Sequence, residues 1–139
     1  MGDKPFKIII IDDNMDYLFT MKTFLTRNGF EVETAKDGET GFELIEKMRP
    51  DLIMLDVMME TTYSGFEVCR QVRNNPELKK TIIFGISGME DELGLKFNKY
   101  DDAEYFSPDE FFDKPIDKNV LLKKINDLSK KTKTPLYLV

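Results

Sequence analysis

The sequence predicts a doubly wound α/β fold, in which a parallel five-stranded sheet lies between layers of helices. Two observations support this prediction. Short, nearly unbroken apolar runs recur along the chain, as in strands that are buried on both faces. Between these runs lie stretches whose apolar residues recur at helical spacing. This alternation indicates five β-α units joined by right-handed crossovers.

Five segments are predicted as strands. The first, third and fourth are the apolar runs, the second alternates weakly between apolar and polar residues, and the fifth is a pair of adjacent phenylalanines. The predicted strands are residues 6–11, 30–35, 52–55, 82–86 and 111–112. Because three of them are apolar throughout, we expect the sheet to be covered by helices on both faces.

Helices are predicted where apolar residues recur every three or four positions. These residues are Met15, Leu18, Met21 and Leu25 in the first helix, Phe42, Ile45 and Met48 in the second, Phe66, Cys69 and Val72 in the third, and Leu121, Ile125 and Leu128 in the last. Asn28-Gly29 and Asn74-Asn75-Pro76 end the first and third helices, Asp37-Gly38 and Pro50 bound the second, and Asp117 is a good N-cap for the last. A short fourth helix is expected within residues 90–113.

Length and composition limit the kind of protein. A chain of 139 residues with 41% hydrophobic residues indicates one globular domain, which we place at residues 1–130, with 131–139 as a tail or linker stub. The net charge of −6 and the absence of histidine disfavour nucleic acid as a partner. No apolar run is long enough for a membrane span. Cys69, the single cysteine, is expected to be a buried apolar residue, and a cytoplasmic location fits.

Polar residues follow the predicted strands at their carboxyl ends. Asp12 and Asp13 end the first strand, Asp56 the third, Ser87 the fourth and Lys114 the fifth. Chemistry in open parallel sheets collects at this edge. If the first and third strands are neighbours, three carboxylates meet there, and they repel one another unless one takes a proton or a cation binds.

A hard divalent cation suits this set of oxygen ligands, and Mg²⁺ keeps several waters when few carboxylates hold it. An ionised Asp56 is a competent nucleophile toward phosphorus without a general base. Phosphoryl transfer needs mainly positioning and charge neutralisation, which the metal, the Lys114 ammonium and the Ser87 hydroxyl can supply. Each residue alone is an ordinary cap, turn or strand end, so the prediction rests on their conjunction.

Four segments resemble the receiver domains of two-component response regulators, namely IIIIDDN, DLIMLDVMM, FGISG and FFDKPI. The resemblance covers about residues 6–130. It implies a CheY-like fold with strand order 2-1-3-4-5. It also implies that Asp56 is the phospho-acceptor and that the cofactor is Mg²⁺ or Mn²⁺. By resemblance Asp13 binds the metal directly, Asp12 binds it largely through water, and the backbone carbonyl of Met58 completes the protein ligands.

The resemblance further implies how the domain switches. Ser87 stands where the family has the Ser or Thr that moves onto the phosphoryl oxygen, and Lys114 stands at its lysine, with a cis bond to Pro115. Phe111 stands at the switch aromatic but lacks a tyrosine hydroxyl. One departure from the family is Glu60 in place of the usual proline, so the loop around Met58 is expected to take an unusual path.

Partners also follow from the resemblance and from charge. A sensor histidine kinase or a phosphotransfer protein would donate the phosphoryl group. Residues 90–113 contain nine acidic residues and two lysines, a net charge of −7, whereas the whole chain carries −6. We expect this segment to form the output surface and its partner, a downstream protein, to present a basic face.

Two other functions stay open. An aspartyl-phosphate phosphatase of the haloacid dehalogenase type also forms an acyl phosphate beside Mg²⁺, but it carries a D-x-D pattern on its first strand, where this chain has Asp12-Asp13-Asn14. A pseudo-receiver would keep the fold as a binding module and lose phosphorylation. The altered loop at Glu60 is the route by which metal binding could be lost. The expectation remains a phospho-acceptor that is not an enzyme, with intrinsic self-phosphorylation and self-dephosphorylation only.

Overall fold

The computed structural model describes residues 5–56, 64–87 and 108–132. Its five strands form one parallel sheet in the order β2-β1-β3-β4-β5, which confirms the predicted fold class and strand order. The strands are β1 Lys7–Ile11, β2 Glu31–Ala35, β3 Leu52–Asp56, β4 Ile82–Ser87 and β5 Glu110–Asp113. The strand order reverses between β1 and β3, so a crevice for ligands is expected at the carboxyl ends of these two strands.

Four helices are present in the described residues. They are α1 Met15–Arg27, α2 Gly38–Met48, α3 Ser64–Asn74 and the C-terminal helix α4 Lys118–Thr132. The helix expected between β4 and β5 falls in residues 88–107, outside the described part of the chain. Helix α4 continues two residues past the domain boundary that we predicted at residue 130.

Helices cover the sheet on both faces, and successive strand residues point to opposite faces. In β1, Ile8 and Ile10 belong to the apolar cluster that includes residues of α1 and α4, whereas Ile9 and Ile11 belong to the cluster that includes residues of α2 and α3. All four are fully buried. Burial on both faces explains why the strands are unbroken apolar runs in the sequence.

Side-chain caps fix where the helices begin. The Asn14 Oδ1 atom accepts a hydrogen bond from the Tyr17 amide at 3.0 Å, so α1 starts directly after Asp12 and Asp13. Asp37 caps α2 through the Thr40 amide, and Asp117 accepts from amides in the first turn of α4. These caps satisfy amide groups that lack a partner within the helix.

The predicted apolar face of α1 is wrong at Met15, which is 62% exposed, whereas Leu18, Met21 and Leu25 are buried. With 3.6 residues per turn, two consecutive steps of three residues carry Met15 about 120° around the helix from Met21.

The observed starts of β1 and β2 differ from the predicted ones. Phe6 and Phe30 each precede their strand, yet both are buried, and their rings meet edge to face at 6.0 Å.

Helix α2 approaches β1 closely at Gly41. A Cβ atom at this position would lie 2.5 Å from Cδ1 and 2.9 Å from Cγ1 of Ile11, which is fully buried. We expect Gly41→Val to lower the free energy of unfolding by about 2 kcal/mol, because the crowded core must move to admit the side chain. Urea unfolding measures this effect. The control is Glu43→Val on the exposed side of α2, and equal losses in the two variants would contradict the prediction.

Candidate functional site

Three carboxylates meet at the carboxyl edge of the sheet. Asp12 follows β1, and Asp56 is the last residue of the neighbouring strand β3. One carboxylate oxygen from each of Asp12, Asp13 and Asp56 lies within 4.8 Å of the others. Asp12 and Asp56 are 1% and 6% exposed, whereas Asp13 is exposed. The sheet therefore brings together the three acids that the sequence placed at strand ends.

Both oxygens of Asp12 already accept hydrogen bonds. Oδ1 accepts from the backbone amide of Asn14 at 2.8 Å, and Oδ2 accepts from the Lys114 ammonium at 2.7 Å. These bonds compensate for the burial of a charged side chain. They also leave Asp12 with less free ligand capacity than the exposed Asp13.

Lys114 connects the fifth strand to this cluster. It follows β5 directly, and its bond to Pro115 is cis, as the resemblance implied. Its Nζ atom lies 3.6 Å from Oδ2 of Asp56, in addition to the bond with Asp12. Burial lowers the pKa of Lys114, but the hydrogen bond with Asp12 and the charges of Asp56 and Asp12 outweigh it, so the pKa is raised. The ammonium therefore stays charged at neutral pH.

Tyr17 is a residue of this site that sequence reasoning missed. Its ring lies under the Lys114 Nζ atom, 4.4 Å from the ring centroid. Its hydroxyl is buried, and no hydrogen-bond partner for it lies among the described residues. Burial, followed by the charges of Asp12 and Asp56, raises the pKa of Tyr17 well above its ordinary value. The signal in the sequence was a tyrosine in the first turn of the helix that follows Asp12-Asp13.

The other predicted site residues are described less completely. Ser87 is the last residue of β4 and is paired with Asp113, so its backbone lies at the same edge as Lys114, but its side chain is outside the described atoms. Met58 lies outside the described residues. Phe111 is in β5, and its side chain is exposed.

The donor set suits a hard divalent cation. Carboxylate oxygens are the ligands that Mg²⁺ prefers, at 2.0–2.1 Å, and two oxygens on one such ion lie at most about 4.2 Å apart. The three carboxylates here, within 4.8 Å of one another, are close to that spacing. The cluster is therefore compatible with a site for a divalent metal ion.

Comparison with known proteins assigns the family. A family model described as the response regulator receiver domain matches residues 8–126. The chain therefore belongs to the response regulator receiver domains of two-component systems. In the described part of the chain, no helix is long and apolar enough to cross a membrane.

Several relatives and solved structures are similar to the chain. It is 42% identical over 71 residues to the transcriptional regulatory protein AfsQ1 of Streptomyces coelicolor. The aligned segment is 51% of this chain and 31% of that protein. A probable transcriptional regulator, ycf27 of Cyanophora paradoxa, is 28% identical over 130 residues, 93% of the chain and half of its own length. The chemotaxis protein CheY4 of Vibrio cholerae superimposes with a TM-score of 0.76 at 27% identity, over 90% of this chain and 99% of that one.

Proposed function

We propose that this receiver domain accepts a phosphoryl group on Asp56, in the presence of Mg²⁺ or Mn²⁺. The observation that carries the proposal is the convergence of a buried carboxylate at the end of β3 with two further acids and a charged lysine. A structural ion pair would need one acid for one lysine. The excess of carboxylates favours the uptake of a cation, and the strand-order reversal is the place where parallel sheets of this kind bind their ligands.

The residues of the chain divide the chemistry among them. An oxygen of Asp56 attacks phosphorus, a new O–P bond forms, and the bond from phosphorus to the donor breaks, so the donor leaves with that electron pair. Lys114 lies 3.6 Å from Asp56, where its positive charge can stabilise the phosphoryl oxygens. The Ser87 hydroxyl is proposed to donate a hydrogen bond to one of these oxygens. Phe111 is proposed as the aromatic residue of β5 that responds to phosphorylation.

The metal ligands are assigned on the same basis. Asp13 and Asp56 would hold the ion directly, Asp12 largely through water, and the backbone carbonyl of Met58 would complete the protein ligands. The engagement of both Asp12 oxygens with Asn14 and Lys114 supports the indirect role of Asp12. When bound, the ion supplies positive charge that offsets the charge on the phosphoryl oxygens.

The proposed phosphoryl donor is a sensor histidine kinase or a phosphotransfer protein, and the proposed output partner is a protein with a basic contact face. The acidic segment 90–113 is the basis for the second proposal, and β5 is its described end. The net charge of this segment makes nucleic acid an unfavourable partner for it. A cytoplasmic location is proposed with these partners.

The test is the intact mass of the protein after incubation with acetyl phosphate and Mg²⁺. We expect the wild-type protein to gain one phosphoryl group, and Asp56→Asn to gain none, because the amide is not a nucleophile toward phosphorus. The matched control is Asp127→Asn on the exposed side of α4, which should be phosphorylated like the wild type. An adduct in Asp56→Asn at the wild-type level would overturn the assignment, and no adduct in the wild type would favour a pseudo-receiver. Steady hydrolysis of small phosphoesters would instead favour a phosphatase.

A further inference from the structure

Lys114 is a long and flexible side chain that must be held in a particular place to act. Four methylene groups separate its ammonium from the backbone, and such a chain loses considerable rotamer entropy when it is ordered. The ammonium is 2.7 Å from Asp12 but 3.6 Å from Asp56, where the phosphoryl group is proposed to attach. The contacts that hold the ammonium near both acids are therefore expected to affect the rate of phosphoryl transfer.

The ring of Tyr17 lies against the same ammonium, at 4.4 Å from its centroid. An ammonium over the face of an aromatic ring is attracted by the ring's electron density, most strongly where water is shielded from the contact. Lys114 is 22% exposed, so the contact is largely shielded. The two carboxylates and the ring together confine the ammonium, and the ring is the uncharged member of the three.

The position of the ring is set by the core and not by its hydroxyl. Tyr17 packs against the apolar cluster that contains Leu18 and Met21 of α1 and Leu121 of α4. Its hydroxyl makes no hydrogen bond with any described residue, although buried tyrosine hydroxyls usually find a partner. The contribution of Tyr17 to this site is therefore expected to lie in the ring.

We propose that Tyr17 is a positioning residue for phosphoryl transfer, whose ring holds the Lys114 ammonium beside Asp12 and Asp56. This inference rests on the proposed function of Asp56. It assigns Tyr17 a role that acts through Lys114, without contact with the phosphoryl group. The alternative is a purely structural role, in which Tyr17 only fills space at the start of α1. Its effect on the reaction would then not depend on Lys114.

A double-mutant cycle distinguishes the positioning role from the purely structural role. The rate of phosphorylation by acetyl phosphate is measured in Tyr17→Leu, which removes the ring, and in Tyr17→Phe, which keeps it. We expect a loss of about tenfold in Tyr17→Leu, a size that shielded contacts between a cation and a ring can reach, and at least half of the wild-type rate in Tyr17→Phe. In a Lys114→Met background, Tyr17→Leu should cause no further loss.

Three outcomes of the cycle would overturn the inference. They are a wild-type rate in Tyr17→Leu, an equal loss in Tyr17→Phe, and a loss in Tyr17→Leu that persists without Lys114. Phe19→Leu, an exposed change on the same helix, is the matched control and should leave the rate unchanged. Tyr17→Met replaces Tyr17→Leu in the cycle if the latter does not fold.

A second measurement needs neither metal nor phosphorylation. Lysine ammonium groups that are held by hydrogen bonds and shielded from water give observable ¹⁵N–¹H signals. We expect the Lys114 signal in the wild type and in Tyr17→Phe, and its broadening or loss in Tyr17→Leu. An unchanged Lys114 signal in Tyr17→Leu would contradict the positioning role. If the wild type is not phosphorylated at all, the proposed function fails, whereas this spectrum still tests the contact between Tyr17 and Lys114.

Discussion

Asp13→Ala is expected to weaken Mg²⁺ binding by on the order of 100-fold or more. Changes to residues that only support the direct ligands already weaken metal binding by about 10- to 100-fold, and the loss of a direct ligand should cost at least as much. Asp13 is the exposed acid of the cluster, whereas Asp12 and Asp56 are buried. Asp12 cannot readily replace it, because both Asp12 oxygens accept hydrogen bonds from Asn14 and Lys114. Phosphorylation by acetyl phosphate should be lost together with the metal.

A Mg²⁺ titration followed by amide chemical shifts measures this prediction. The matched control is Asp16→Ala, which removes one negative charge from an exposed position in the first turn of α1, three residues away. The control should bind Mg²⁺ nearly as the wild type does, because long-range charge effects are screened by salt. If Asp13→Ala and Asp16→Ala weaken binding equally, Asp13 contributes only general charge and is not a direct ligand.

Lys114→Met is expected to lower the free energy of unfolding of the metal-free protein by about 3 kcal/mol, the usual scale for removing one partner of a buried ion pair. The change leaves Asp12 and Asp56 buried side by side without the cation that lies between them. If the proposed metal site is correct, Mg²⁺ should restore part of the lost stability, because an ion bound to the folded state would supply positive charge to the same carboxylates. Metal binding itself should be retained.

Urea unfolding with and without Mg²⁺ measures the effect, and Lys123→Met on the exposed side of α4 is the control.

The pH dependence of this stabilisation has a defined sign. The pKa of Lys114 is raised in the folded protein, so its stabilising contribution is fully present below the unfolded pKa of about 10.4 and is lost as pH rises through the folded value. The difference between wild type and Lys114→Met should therefore be constant from pH 7 to about pH 9 and shrink above the unfolded pKa. A difference that already vanishes at pH 8 would contradict this assignment.

Much of the fold could be predicted because its signals are local. An unbroken apolar run marks a strand buried on both faces, and the residue that follows it is placed at the sheet edge whatever the rest of the chain does. Asp12 and Asp56 were found in this way, and Lys114 was found at the end of a shorter strand predicted from two adjacent phenylalanines; the structure brings the three together. The caps Asp37 and Asp117 were equally local, since each bonds to amides only two or three residues away.

The rest depended on contacts between distant parts of the chain. Lys114 and Asp12 are separated by 102 residues, and only the register of the strands decides that the ammonium bonds to Asp12 at 2.7 Å and stays 3.6 Å from Asp56. The place of Tyr17 under that ammonium follows from the packing of α1 against the sheet, which a helical period alone does not give.

The sequence by itself thus determined the order of the elements, the strand ends that carry the acids and the lysine, and the family resemblance. The tertiary structure decided which group each oxygen of Asp12 accepts a hydrogen bond from, which acid stays exposed, and which aromatic ring lies under the lysine ammonium. The physical reason is that periodicity reports which way a side chain points within its own element. Distances between side chains of different elements are set by packing and register, to which residues far apart in the sequence contribute jointly.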